Sequence, residues 1–197
     1  MIDRQPDPEH DALGFSPPIF TVGHGTRPLE ELLSVCNDAT VDRLIDVRRY
    51  PGSRRNPQFA REALERTLSP SGIAYEWWGE SLGGRRKVAD SSRHKAWRVE
   101  AFQAYADHMD TWLFRDALRS LESRAIGGER LVLMCSETVW WRCHRRLIAD
   151  ALALHGFEVI HLLTPGKKQV HPLHENLSRD DDGWPVYDAG LTGKLDI

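Results

Sequence analysis

A chain of 197 residues, 41% hydrophobic and 28% charged, is long enough for one globular domain with a substantial core. No run approaches the length of a transmembrane helix, and the N-terminus (Met1-Ile-Asp-Arg-Gln-Pro-Asp-Pro8) lacks a signal peptide's apolar core, so a cytoplasmic location with no membrane partner is expected. The net charge of -3 selects no partner, and three widely spaced cysteines fit a reducing compartment rather than a disulfide framework.

Residues 1–18 carry four prolines and read as a flexible lead-in. Ile19-Phe-Thr-Val22 is a short strand closed by Gly23-His-Gly25. Thr26 is the expected cap of a helix with Pro28, Glu30 and Glu31 in its first turn and Leu29, Leu32, Leu33 and Cys36 on one face. Leu44–Val47 is the second strand, and Asn56-Pro57 opens a helix through Leu68. Ile73–Trp77 alternates as a third strand and leads into a loop rich in Gly and Arg, Gly79 to His94. A long helical region is expected from about Lys95 to Ser123, ended by Gly127-Gly128. Strand Leu131–Met134, a helix from Cys143 to Leu154 and a strand Glu158–Leu163 follow. Residues 164–197, polar and containing Asp180-Asp-Asp182, read as an irregular C-terminal tail or a small extra element.

This alternation specifies an α/β fold, a three-layer sandwich with a mainly parallel sheet of about five strands spanning residues 19–163. In such sheets the ligand site lies beyond the carboxyl ends of the strands. That edge would gather His24, Asp46, Arg48, Cys135 and Glu137, with His144 and Arg145 arriving at a helix N-terminus. The richest segment is Cys135-Ser-Glu137 with Cys143-His-Arg145, where thiols, a carboxylate, an imidazole and a guanidinium fall within eleven residues.

Thr21-Val-Gly-His24, Asp46-Val-Arg48 with Pro51 and Ser53-Arg54, Gly72-Ile73 with Tyr75, Leu82-Gly-Gly84, Cys135-Ser-Glu137 with Cys143-His-Arg145, and His161 follow one another in an order that resembles the DUF488 family, from about Thr21 to Leu163. The resemblance implies an α/β fold with a polar site and no settled reaction. Members commonly read Thr-Ile-Gly-His-Ser, whereas this chain has Gly25 and no hydroxyl there.

Each candidate has a functional and a structural reading. Cys135 is a nucleophile activated near arginines, or a buried core residue. A phosphatase loop needs Cys-x5-Arg, but residue 141 is Trp and the arginine comes at Arg142, which also argues against a rhodanese-type loop. Glu137 is a general base or orients an imidazole of His24 or His144; alternatively it pairs with Arg145 or Arg48. Asp46 at a strand end needs a partner, for which Arg48 is placed. No metal is expected, because a gap of seven between Cys135 and Cys143 and an adjacent Cys-His pair match no common zinc spacing. His171-Pro-Leu-His174 reads as surface. Between Arg48 and Arg98 twelve basic residues face five acidic ones, a local charge of +7. Arg48, Ser53, Arg54, Arg85 and Arg145, together with Asp46, are the candidate ligand-binding residues, and Trp77 and Trp78 are candidates to stack on a base. The alternative pairs these arginines with Asp180 to Asp182. The expectation is an enzyme acting on a phosphate-containing small molecule or nucleic acid, with a non-catalytic anion-binding module as the alternative. No cofactor is specified.

Overall fold

The computed structural model describes residues 17–52 and 55–188. Its strands are β1 (Ile19–Gly23), β2 (Arg43–Asp46), β3 (Ala74–Trp77), β4 (Leu131–Cys135), β5 (Val159–Thr164), β6 (Lys167–Val170), β7 (Leu177–Arg179) and β8 (Pro185–Tyr187). Its helices are α1 (Leu29–Asp38), α2 (Arg61–Leu68), α3 (Gly79–Leu82), α4 (Glu100–Met109), α5 (Trp112–Ile126) and α6 (Arg145–Leu154). Short 3₁₀ turns at Pro57–Phe59 and Trp140–Arg142 precede α2 and α6.

Six strands form one sheet in the order β3-β2-β4-β1-β5-β6. The first five in that order are parallel, and β6 runs antiparallel to β5. The run Leu-Val-Leu-Met-Cys of β4 is buried throughout because both faces of the sheet are covered, which is why it reads as a continuous apolar stretch. Its side chains alternate. Leu131, Leu133 and Cys135 join a core built with α4, α5 and α6, while Val132 and Met134 join a second core under α1 and α2. The result is a three-layer sandwich. Among the described residues no helix is long and apolar enough to cross a membrane.

Several local expectations differ from what is seen. Thr26 is not a cap: α1 starts after Pro28 with no side-chain cap bond. The long helix expected from Lys95 to Ser123 is two helices, because Thr111 breaks it and caps α5, its Oγ1 accepting from the Phe114 N–H at 3.3 Å. Of the two readings for the segment after Leu163, the described residues 164–188 follow the extra element: β6 extends the sheet, and the β7-β8 hairpin brings Leu177, Trp184 and Tyr187 into the α4–α6 core. Of the expected lead-in, residues 1–16 lie outside the described residues.

Candidate functional site

β4 lies between β1 and β2, so the three strand ends that carry polar residues are neighbours. Gly23 is level with Cys135, and Asp46 with Met134. The ladder continues past the strands: His24 N–H donates to Cys135 O and Gly25 N–H to Ser136 O, both at 2.9 Å, and Val47 N–H donates to Met134 O at 3.0 Å. Gly23 is required here, since a Cβ would run into the Glu137 carbonyl and the Arg145 guanidinium. Above these ends a cleft of about 640 Å³ opens, lined by His24, Arg48, Arg49, Tyr50, Arg85, Tyr105, Cys135, Glu137, Arg142, Cys143 and His144 among others.

Two sulfurs and an imidazole occupy one corner of its lining. His144 Nε2 is 3.1 Å from Val47 O. A carbonyl only accepts, so Nε2 carries the proton and Nδ1 presents a bare lone pair. Nδ1 is 3.8 Å from Cys143 Sγ and 3.9 Å from Cys135 Sγ. The Tyr105 ring packs 4.9 Å from the imidazole, and Gly84 approaches so closely that a Cβ there would sit 3.0 Å from Nδ1.

Next to this group lies Arg145, 1% exposed, with no carboxylate in ion-pair reach among the described residues. Its Nε donates to Cys143 Sγ at 3.5 Å, one NH2 group to Thr21 Oγ1 at 3.3 Å and the other to the Glu137 carbonyl. A buried cation of this kind needs an anion. Burial pushes the Cys143 thiol up, but its hydrogen bond with Cys135 and the Arg145 charge outweigh that and lower it. Cys135 moves the other way, raised by that same hydrogen bond and by burial. The sulfur that Arg145 supports is therefore Cys143, to which sequence reading gave no separate role. The signal was present in Cys143-His-Arg145, where the guanidinium follows the thiol by two residues.

The remaining candidates separate into framework and rim. Arg48 grips Asp46 through Nε (2.8 Å) and one NH2 group (2.5 Å) and also donates to the Phe59 carbonyl at 2.8 Å, while the Tyr75 hydroxyl donates to Asp46 at 2.8 Å. His24 stacks on Phe59 at 4.2 Å. Its Nδ1–H donates to Gly25 O at 2.9 Å and its Nε2 accepts from Arg48 at 3.2 Å. Burial first, and then Arg48, lower its pKa to about 4, and with both ring nitrogens hydrogen-bonded it has no free lone pair for proton transfer. Glu137 stands exposed on the cleft lining and pairs with neither Arg145 nor Arg48; Arg145 takes its backbone carbonyl instead. Arg85 is on the rim, its guanidinium 5.7 Å from the centre of the Tyr50 ring. Ser53 and Arg54 lie outside the described residues.

Trp77 and Trp78 do not line the cleft. Their N–H groups donate to Arg48 O and Glu76, and Arg61 and Arg124 cover their rings. Pairing with the acidic tail holds for Arg93, 2.9 Å from Asp180, but not for Arg85. Tyr50 and Arg142 on the lining were missed, because nothing in sequence marks these two as facing a cleft.

A second buried polar group lies behind the first. His161 Nδ1 is 2.6 Å from Thr21 Oγ1, His161 Nε2 is 3.0 Å from His171 Nδ1, and His171 Nε2 is 3.0 Å from Asp150. Asp150 also accepts from the His174 N–H and the Tyr187 hydroxyl, each at 3.0 Å. His171, expected at the surface, is 7% exposed. The expectation failed because β6 and the hairpin bury it.

No curated protein and no solved structure matches the chain. The family model described as domain of unknown function DUF488 matches residues 28–152, which takes in β2, β4, the Cys143-His-Arg145 segment and most of α6. With the match covering well over half of its residues, the chain belongs to the DUF488 family.

Proposed function

We propose that this protein is an enzyme acting on a phosphate-bearing substrate, a nucleotide or the end of a nucleic acid, held in the cleft at the carboxyl edge of the sheet. The observation that carries the reading is the composition of the lining: among the described residues, Arg48, Arg49, Arg85 and Arg142 stand against the single carboxylate of Glu137, with the two sulfurs and His144 among them. Asp46 and Glu80 neutralise Arg48 and Arg49, but no acid lies within ion-pair distance of Arg85 or Arg142 among the described residues. Those two guanidiniums are free to grip phosphate oxygens. Tyr50, 66% exposed on the same lining, offers a face for a base to stack on. In this reading the Cys135, Cys143 and His144 group is the reacting centre and Glu137 transfers protons at the rim.

The test is a panel of nucleotides, phosphomonoesters and short oligonucleotides offered to the full chain, with product formation read by mass spectrometry. Arg85→Ala or Arg142→Ala is expected to raise KM about tenfold, the equivalent of about 1.4 kcal/mol of binding. Cys143→Ser, His144→Ala and Glu137→Gln should abolish turnover with binding retained. Binding without turnover in the unmodified protein would support the non-catalytic anion-binding module instead. Neither binding nor turnover across the panel would refute both readings.

A further inference from the structure

We propose that Cys135, Cys143 and His144 together form a binding site for one zinc ion, with its fourth position open to the cleft. The idea rests on the reading of this group as the reacting centre and says what that centre holds. Sequence spacing argued against a metal, because the ligands are separated by seven residues and then by none. Folding removes the objection: the end of β4 and the residues ahead of α6 bring the three ligand atoms within 4.8 Å of one another.

The geometry suits the ion. Bonds of about 2.3 Å to sulfur and about 2.0 Å to nitrogen, at a tetrahedral angle, put sulfur and nitrogen about 3.5 Å apart. The two sulfur-to-nitrogen distances here are 3.8 and 3.9 Å, within a few tenths of an ångström of that value. The imidazole is already in the required form. Its Nε2–H is committed to the Val47 carbonyl, the outer-shell arrangement that fixes a metal-binding histidine, and its Nδ1 lone pair is left for the ion. Arg145 Nε, donating to Cys143 Sγ at 3.5 Å, supports the thiolate from behind in the same way. Two thiolates and one imidazole are a soft set that selects zinc over magnesium or calcium. Binding takes both cysteines as thiolates and releases their protons to solvent.

All three residues belong to the cleft lining, so the fourth ligand position faces the cavity rather than the core. Three protein ligands with one open position is the pattern of a catalytic rather than a structural zinc. A water in that position would lose a proton to Glu137 on the same lining and attack phosphorus; the new P–O bond would form as the P–O bond to the substrate's alcohol breaks, and the departing alkoxide would take up a proton from solvent. Cys36, fully buried under α1 in the opposite core, takes no part.

The experiment uses the full chain, reduced and stripped with a chelator. Zinc is titrated in competition with a chromophoric chelator, and cobalt(II) is substituted to read the ligand field. One equivalent of zinc per chain is expected, together with an intense thiolate-to-cobalt charge-transfer band and tetrahedral d–d bands. Cys143→Ser and His144→Ala should each raise the zinc Kd by more than the roughly 10–100-fold that loss of an outer-shell partner costs. Cys36→Ala should leave it unchanged. Folding of each variant is checked by circular dichroism, and the cobalt spectrum of the unmodified protein needs no variant at all. A folded protein that takes up no zinc, or shows no thiolate-to-cobalt band, overturns the site; so does uptake that survives Cys143→Ser. Turnover of a phosphate-bearing compound by metal-free protein would sink the metal and leave the proposed function standing. Stoichiometric zinc without binding or turnover of any such compound would do the reverse.

Discussion

Asp150 joins α6 to the C-terminal segment, and its replacement gives a stability change whose size follows from the structure. The side chain is fully buried. One carboxylate oxygen accepts from His171 Nε2 and the His174 N–H, and the other accepts from the Tyr187 hydroxyl, all at 3.0 Å. Asp150→Ala leaves three donors without an acceptor, and each such loss in the interior costs about 1–3 kcal/mol. The desolvation of a buried carboxylate is relieved at the same time, so the expected net cost is about 3–5 kcal/mol. Asp150→Asn keeps one oxygen for both histidines and faces Tyr187 with an amide to which its hydroxyl can turn as acceptor. That variant should cost only about 1–2 kcal/mol. Against a typical total of about 5–15 kcal/mol, the alanine variant remains measurable by equilibrium urea unfolding. Amide exchange across residues 167–188 should accelerate in step, because the hairpin loses its anchor. An alanine cost below about 1 kcal/mol, or equal costs for the two variants, would refute the account of Asp150 as the acceptor that docks this segment.

Acid should destabilise the protein in a defined window. Burial first lowers His24 and His108 to about 4 and His161 to about 3, all from 6.5. The unfolded chain then binds more protons, so the stability is complete above pH 6.5 and is lost as pH falls toward 4. Each histidine adds a slope of about 1.4 kcal/mol per pH unit, and urea midpoints that stay flat between pH 6.5 and 4 would contradict this. Gly23→Ala forces a methyl onto the Glu137 carbonyl and should cost about 3 kcal/mol; a thermal midpoint unchanged from the parent would show that the crossing of β1 and the 135–137 loop is looser than described. Cys36, pushed up to about 12 by burial, should resist iodoacetamide at pH 8 until the protein unfolds, as read by peptide mass spectrometry. Alkylation of Cys36 in the native state would mean that the core beneath α1 opens.

The fold was legible because the strands of a covered parallel sheet leave continuous apolar runs, and Leu131 to Met134 is one of these. Convergence of His24, Asp46, Cys135 and His144 followed from the rule about carboxyl ends, and all but Asp46 reach the cleft lining, with Asp46 beneath Arg48. What sequence does not carry is division of labour. Arg48 and His24 look as available as Arg85, but each spends its hydrogen bonds on neighbours. The cysteines look alike until Arg145 is found beside one of them. The segment after Leu163 left two readings open for a different reason: its polarity is local, whereas Trp184 and Tyr187 find their apolar surroundings on α4 to α6, far away in the chain.

The buried chain from Arg145 to Asp150 admits one consistent direction of travel. Arg145 can only give a proton to Thr21, whose hydroxyl then gives to His161, which gives to His171, which gives to Asp150. Every link is spoken for at both ends, so reversing any one of them strands a donor or an acceptor in the dry interior. The five residues therefore behave as a single object with a head at the cleft and a tail at the hairpin, and they hold or fail together. A lesion at Tyr187, which is not among the cleft lining, should be felt at the guanidinium beneath the sulfurs. A double-mutant cycle between Tyr187→Phe and Thr21→Ala reads that coupling directly, and a coupling energy of zero would cut the chain in two.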